Sequence, residues 1–177
     1  MLAATLSSNY GIYGPAFELG ESRALRAGGE EYLDSEKYQL RHWELDDPDS
    51  LASLITLVNA ARRDNPALQR TVGIRFHETG NDALLAYSKT AEDGDNIVIC
   101  VVSLDGHNTQ SGWLELPLDE LGIDATHPYQ VHDLLGGGRY LWSGDRNFVE
   151  LDPHVVPAHI FRVRRQVRTE HDFDYFQ

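Results

Sequence analysis

The spacing of apolar and polar residues changes near residue 70. Before it, apolar positions recur at helical spacing or are scattered. After it, they alternate as in strands. Leu2, Leu6 and the alanines between them predict the end of a helix that stops by Ser7-Ser8-Asn9. Tyr10–Tyr13 reads as a short strand closed by Gly14-Pro15. Residues 16–47 read as a long irregular loop, and loops of that length are usually functional or disordered. Leu51, Leu54, Ile55, Val58 and Ala61 share one face at a 3.6-residue period, which predicts a helix from Leu51 to about Asp64. Asp49 or Ser50 is placed to cap its first turn, after Pro48. Arg62 and Arg63 suit its negative C-terminal end. Asn65-Pro66 stops it, because the residue before proline avoids the helical region.

Beyond residue 70 the pattern predicts Val72–His77 and Ala83–Lys89 as a hairpin around Glu78-Thr79-Gly80-Asn81-Asp82. Ile97–Val102 is continuously apolar and β-branched, so it reads as a central strand buried on both faces. Trp113–Leu118, Tyr129–Leu135, Arg139–Trp142, Asn147–Leu151 and Val156–Val163 follow, with turns at Gly136-Gly137-Gly138 and Ser143-Gly144-Asp145. Short strands in this succession predict an antiparallel β-sandwich able to bury its own core. The expected fold is therefore mainly β, with the division at residues 1–69, 70–165 and a tail at 166–177.

Composition narrows the function classes. The chain has 177 residues, 41% hydrophobic and 24% charged, as in a soluble globular protein. No run is long and apolar enough for a spanning helix, and no basic segment precedes an apolar one at the start, so no signal peptide is expected. The lone Cys100 fits a reducing cytoplasm. A net charge of −13 opposes nucleic acid and anionic membranes, while a neutral polymer such as a glucan is compatible with it.

The stretch Glu30–Arg41 is the most polar and special in the chain. It gathers Glu30, Glu31, Asp34 and Glu36 with Tyr32, Tyr38, Lys37 and Arg41. Such a composition is easier to explain by a ligand than by a core. Lys37 donates hydrogen bonds, and Tyr38 offers a ring face and a hydroxyl, which together suit a sugar. The plain structural alternative is a surface lysine beside a packing tyrosine.

Several stretches together resemble the alpha-1,4-glucan:maltose-1-phosphate maltosyltransferases of the alpha-amylase superfamily (glycoside hydrolase family 13). They are Leu2–Ser7, Tyr10–Gly14, Phe17-Glu18-Leu19 and, above all, Glu30–Tyr38 with its Tyr-Leu-Asp-Ser-Glu-Lys-Tyr run. Asn59–Leu68 and Pro157–Ile160 extend the likeness. The resemblance implies that residues 1–69 are the last strand, donor-site loop and last helix of a (β/α)8 barrel, followed by the C-terminal sandwich. It also implies transfer of maltosyl units from maltose 1-phosphate to an alpha-1,4-glucan with retention, and no cofactor. Retention needs two carboxyl groups roughly 5–5.5 Å apart. In the family the nucleophilic Asp, the acid/base Glu and a stabilising Asp lie on earlier barrel strands, which residues 1–177 do not include. No catalytic residue is therefore assigned here, and the chain alone is expected to be inactive. Lys37 and Tyr38 match the pair that lines the donor site, with Glu18 and Glu36 as weaker contacts. The sandwich is expected to brace the barrel and to join in homodimer contacts.

Other candidates carry less. Glu18 and Glu21 suit either a sugar or a loop cap, and Tyr10 and Tyr13 either a sugar platform or packing. Trp113, Tyr140 and Trp142 suit either a glucan platform or a core. A stand-alone glucan-binding or structural module is thus the rival reading. The pairs His127/His132 and His154/His159 differ by odd numbers, which places them on opposite strand faces, and no metal site is expected. Gly136-Gly137-Gly138 lacks the lysine and helix of a phosphate loop.

Overall fold

The structure, a computed structural model, describes residues 1–35 and 40–164. Its strands are β1 (Ile74–His77), β2 (Leu84–Thr90), β3 (Ile97–Ser103), β4 (Gln110–Glu115), β5 (Tyr129–Asp133), β6 (Arg139–Trp142), β7 (Arg146–Leu151) and β8 (Ala158–Arg164). All pair antiparallel. They form a six-stranded sheet in the order β1-β2-β3-β8-β5-β6 and a two-stranded ribbon, β4-β7. The main architecture is the predicted one: antiparallel β with a sandwich core.

Period-two alternation builds that core. Ile97, Ile99 and Val101 of β3, Val131 of β5 and Phe161 of β8 meet Leu114, Val149 and Leu151 of the ribbon in one apolar cluster. β3 is buried on both faces, as its uninterrupted apolar run predicted. On the far face Val98 and Cys100 are inaccessible too, and Ala67 and Leu68 of the 3-10 turn Pro66–Gln69 lose all solvent contact. Burial pushes the Cys100 thiol up to about 12, so it behaves as a packing group.

Among the described residues three helices precede the sheet: α1 (Leu2–Leu6), α2 (Gly14–Glu18) and α3 (Ala52–Asp64). α3 has the expected start and stop. Ser50 Oγ accepts from the Ala52 N–H at 3.1 Å, and Asn65 is extended ahead of Pro66. α1 ends where Ser7 turns extended.

The chain divides into two compact units, Tyr10–Leu57 and the rest, so Met1–Asn9 belongs with the sheet. Hydrogen bonds explain that membership. Thr5 Oγ1 and the Tyr87 hydroxyl share a bond of 2.5 Å. Arg62 donates to the carbonyls of Ala4, Ser7 (3.1 Å) and Ser8 (2.8 Å). The buried Lys89 ammonium donates to the carbonyls of Leu6 and Arg70. Cations thus satisfy the orphan carbonyls where α1 ends, and they suit its dipole.

The predicted strand Tyr10–Tyr13 is not formed. Neither sheet includes it. A strand needs a neighbouring strand to take up its N–H and C=O groups in a ladder, and none of the described strands pairs with it. The chain instead enters α2, with Gly14 at φ +45° and Pro15 in the first turn. β4 also departs from expectation. Its apolar alternation runs on through Leu116 and Leu118, both buried, but the ladder with β7 ends at Glu115. Pro117 has no N–H to continue it.

Candidate functional site

Residues 19–35 and 40–44 are held by local polar contacts. Ala24 and Tyr32 make an isolated antiparallel bridge. The Leu25 N–H donates to Glu31 O at 2.8 Å and the Leu33 N–H to Arg23 O at 2.6 Å. Asp34 then sits at φ +56°, in the left-handed region that a short polar side chain tolerates best after glycine. The Tyr13 hydroxyl donates to Ser35 O at 3.0 Å, and the Tyr13 ring meets Tyr32 edge-on at 5.9 Å. The Ser35 hydroxyl donates to Glu31 Oε1 at 3.0 Å.

Arg41 closes the arrangement. Its guanidinium donates to Leu33 O at 2.9 Å and to Glu21 Oε2, and lies 4.0 Å from the centroid of the Trp43 ring. The other carboxylate oxygen of Glu21 accepts from the Arg23 N–H at 3.0 Å. The Arg41 hydrogen bond, then that of Arg23, holds the Glu21 carboxyl below its ordinary value. These groups border an open cleft of about 540 Å³ whose lining includes Leu19, Glu21, Arg23, Arg41, Trp43 and Glu44.

Glu36, Lys37 and Tyr38, the donor-site expectations, lie outside the described residues. Glu18 is described. Its Oε1 accepts from the Ser50 hydroxyl at 3.4 Å, and its backbone oxygen from the Leu51 N–H at 2.8 Å, so it buttresses the start of α3. Both oxygens of Glu21 are used within the loop. Tyr13 is 63% exposed and serves the loop through its hydroxyl. Arg41 was named only as a member of the polar stretch, with no role, and Trp43 was not singled out from the sequence. The available signal was a cation beside an aromatic, but the acid that fixes the cation lies 20 residues earlier.

The three aromatics of the sandwich separate. Trp142 is core: it is 7% exposed and packs edge-on against Tyr129 and Phe161. Tyr140 is half-exposed and meets Phe161 edge-on. Trp113 stands on the outer face of the ribbon, 47% exposed, paired across the strands with Phe148 at 5.5 Å. The Arg146 guanidinium lies 5.0 Å from the Trp113 centroid.

The triglycine turn is also structural. Asp133 Oδ1 accepts from the Leu135 N–H, and Oδ2 from the Gly136 N–H and from His159 Nδ1 at 2.8 Å. Burial pushes the Asp133 carboxyl up, but these hydrogen bonds leave it below its ordinary value. Among the described residues no three His, Cys, Asp or Glu side chains gather in a metal-ligand cluster. No described helix is long and apolar enough to cross a membrane.

Part of the fold is shared with a solved structure. The alpha-amylase of Geobacillus thermoleovorans superposes with a TM-score of 0.50 over 77% of this chain and 30% of its own, at 15% identity. This likeness concerns architecture alone. Sequence goes further. Residues 76–163 match the family described as GLGE, C-terminal. The alpha-1,4-glucan:maltose-1-phosphate maltosyltransferase of Chlorobaculum tepidum is 51% identical over 92% of this chain and 25% of its own length. That of Methylacidiphilum infernorum is 47% identical over 92% and 24%. The second such enzyme of Streptomyces coelicolor is 48% identical over 93% and 25%. The chain belongs to the maltosyltransferase family and corresponds to its C-terminal portion. It spans about a quarter of the length of these relatives.

Proposed function

We propose that residues 1–177 work as the C-terminal part of a retaining maltosyltransferase that moves maltosyl units from maltose 1-phosphate to alpha-1,4-glucans. The observation that carries this reading is 51% identity across 92% of the chain to a protein named for that reaction. On this reading residues 1–69 complete a (β/α)8 barrel, 70–165 form the sandwich that braces it, and 166–177 are a tail. The catalytic Asp, Glu and Asp belong to barrel strands outside these residues. Lys37 and Tyr38 line the donor site: the ammonium donates to sugar hydroxyls, and the phenol ring covers an apolar sugar face. Glu36 is a weaker contact, and Glu18 keeps its second carboxylate oxygen for a hydroxyl. The protein acts in the cytoplasm, as a homodimer, without a cofactor.

The surface of Tyr10–Leu57 supports a larger body. Phe17, Leu25, Leu45 and Leu57 are each more than 40% exposed. Large apolar side chains left open in this number suit a surface that another part covers.

By itself the chain is inactive. Retaining chemistry needs one carboxyl kept protonated in a closed pocket beside one that stays ionised. Glu21 and Glu44 line an open cleft, and Glu21 is committed to Arg41. Incubating the purified 177-residue chain with maltose 1-phosphate and glycogen is expected to release no phosphate. Enzyme-dependent phosphate release would overturn the inactivity. In the maltosyltransferase containing these residues, Lys37→Ala is expected to raise KM for maltose 1-phosphate about tenfold. An unchanged KM would remove Lys37 from the donor site.

The half-exposed Trp113 and Phe148 favour a second reading, a glucan-binding module. Affinity electrophoresis of the chain in glycogen separates the two. Retardation abolished by Trp113→Ala supports the module. The buried Trp142 is unsuited to this test, because its loss would damage the core.

A further inference from the structure

We propose that the face of β5, β6 and β8 carrying Arg139, Arg162 and Arg164 docks a carboxylate-lined surface of the part of the maltosyltransferase outside residues 1–177. The proposal rests on the reading of these residues as the C-terminal part of that longer enzyme.

The observation is three arginines grouped around one histidine, with no acid among them. Strand register places His132 directly opposite Arg139 of β6 on one side and Arg162 of β8 on the other. Arg164 stands two residues beyond Arg162, on the same face and opposite Gln130. The alternate residues Val131, Trp142, Phe161 and Val163 belong to the core, so the arginines stand on the face away from it. Burial, and then the charges of Arg139, Arg164 and Arg162, holds the His132 imidazole below its ordinary value. Among the described residues, none of the three arginines forms an ion pair. Asp133, next to His132 in sequence, is engaged by His159 and the triglycine turn.

Such a grouping is unfavourable by itself. Like charges on facing strands repel, and acids outnumber bases in this chain by 28 to 15. A contact that brings carboxylates to the face removes the repulsion. The rest of the same sheet face is already covered. Over β2 and β3 it carries the turn Pro66–Gln69, and the Thr5–Tyr87 bond holds α1 there. Over β5, β6 and β8 it is open. Arg139 and Arg164 are exposed, and Leu141, opposite Gln130 on that face, is 63% exposed.

The occupant that fits is a protein surface. The chain spans about a quarter of its relatives' length, so most of such an enzyme lies outside it. Interfaces between parts of one chain are more polar than obligate ones, and interfaces favour arginine. A sheet face is also flat. Arg139 and Arg162 stand on strands separated by β5, about 10 Å apart, and Arg162 and Arg164 are about 7 Å apart along β8. That spread suits several carboxylates set apart, each taken by one planar guanidinium. A single phosphate is better held where donors converge in a concavity. The net charge of −13 opposes nucleic acid.

The test uses the maltosyltransferase containing residues 1–177, with Arg162→Lys or Arg139→Lys. A carbodiimide joins the introduced amine to a carboxylate in contact with it, and mass spectrometry identifies the pair. The expected partner is an Asp or Glu outside residues 1–177, with the yield falling at least about threefold in about 1 M salt. In the 177-residue chain, Arg162→Glu should leave the urea midpoint equal or higher, because it relieves repulsion. A lower midpoint makes Arg162 a residue that holds the fold and overturns docking. Coupling to Glu170, Asp172 or Asp174, coupling between two copies, or no coupling also overturns it. So does a melting temperature of the 177-residue chain that inorganic phosphate raises and Arg162→Glu no longer lets it raise, which marks a small oxyanion site. Phosphate release from maltose 1-phosphate is measured on the unsubstituted enzyme. Without release, the maltosyltransferase reading fails whatever the coupling shows. With release and no coupling, only docking fails.

Discussion

The sheet unit and the stretch Tyr10–Leu57 are held together by different forces. In the first, Ile99, Val101, Leu114, Val131 and Ile160 lose all solvent contact. In the second, Ala16 is the one buried apolar residue among those described. There the shape rests on named polar bonds: Tyr13 to Ser35, Arg41 to Glu21 and Leu33, Ser50 to α3. An apolar core is non-directional and tolerates small shifts. A polar lattice fixes positions but fails bond by bond. A scaffold suits the first design, and a segment whose shape must be set point by point suits the second.

Breaking the core should give the largest effect. Ile99→Ala removes buried methylene groups from β3 and is expected to cost about 3–4 kcal/mol in urea unfolding. A loss below about 1 kcal/mol would mean that the sandwich is looser than its burial indicates.

Acid should give the next largest. Burial, and then the nearby Arg75, lowers His77 from its ordinary value to about 4, while Nε2 bonds the Ser88 hydroxyl at 2.8 Å. A lowered folded value means that the unfolded chain takes up the proton first. The stabilisation is complete above about pH 6.5 and is lost as pH falls towards 4. Allowing for the solvent that reaches the ring, about 2 kcal/mol should disappear across that window. Unfolding midpoints against pH check this, and His77→Gln should flatten the curve between pH 6.5 and 5.

The loop side should give the smallest effect. Ser50→Ala removes the cap of α3 and is expected to cost about 1 kcal/mol locally. Exchange should rise at Ala52–Ile55 without moving the unfolding midpoint of the sheet. A midpoint shift as large as that of Ile99→Ala would dissolve the contrast between the two regions.

The sequence foretold what depends on local chemistry. α3 was legible because its apolar period, Ser50 and Asn65-Pro66 all act within a few residues. β3 was legible because an unbroken apolar run has few other homes. β4 was misplaced because buried Leu116 and Leu118 continue the alternation after the ladder ends. Tyr10–Tyr13 has strand composition, yet pairing depends on a neighbour that composition does not reveal. Alternation also cannot say which face is inside, so Trp113 and Trp142 looked alike although one is exposed and the other core. At the site, Glu18 and Glu21 were visible as special acids. The contacts through Arg41 were not, because the Glu21–Arg23 stretch, Leu33 and Arg41 are far apart in sequence and meet only in the folded chain.

The grip on α1 has a consequence of another kind. Arg62 and Lys89 read main-chain oxygens of residues 4, 6, 7 and 8, and every residue type supplies the same oxygen. The clasp is therefore indifferent to spelling. Away from the buried Ala4 and Thr5, a substitution in the first nine residues that keeps the path of the chain leaves this clasp intact, whereas loss of the Arg62 or Lys89 side chain removes it.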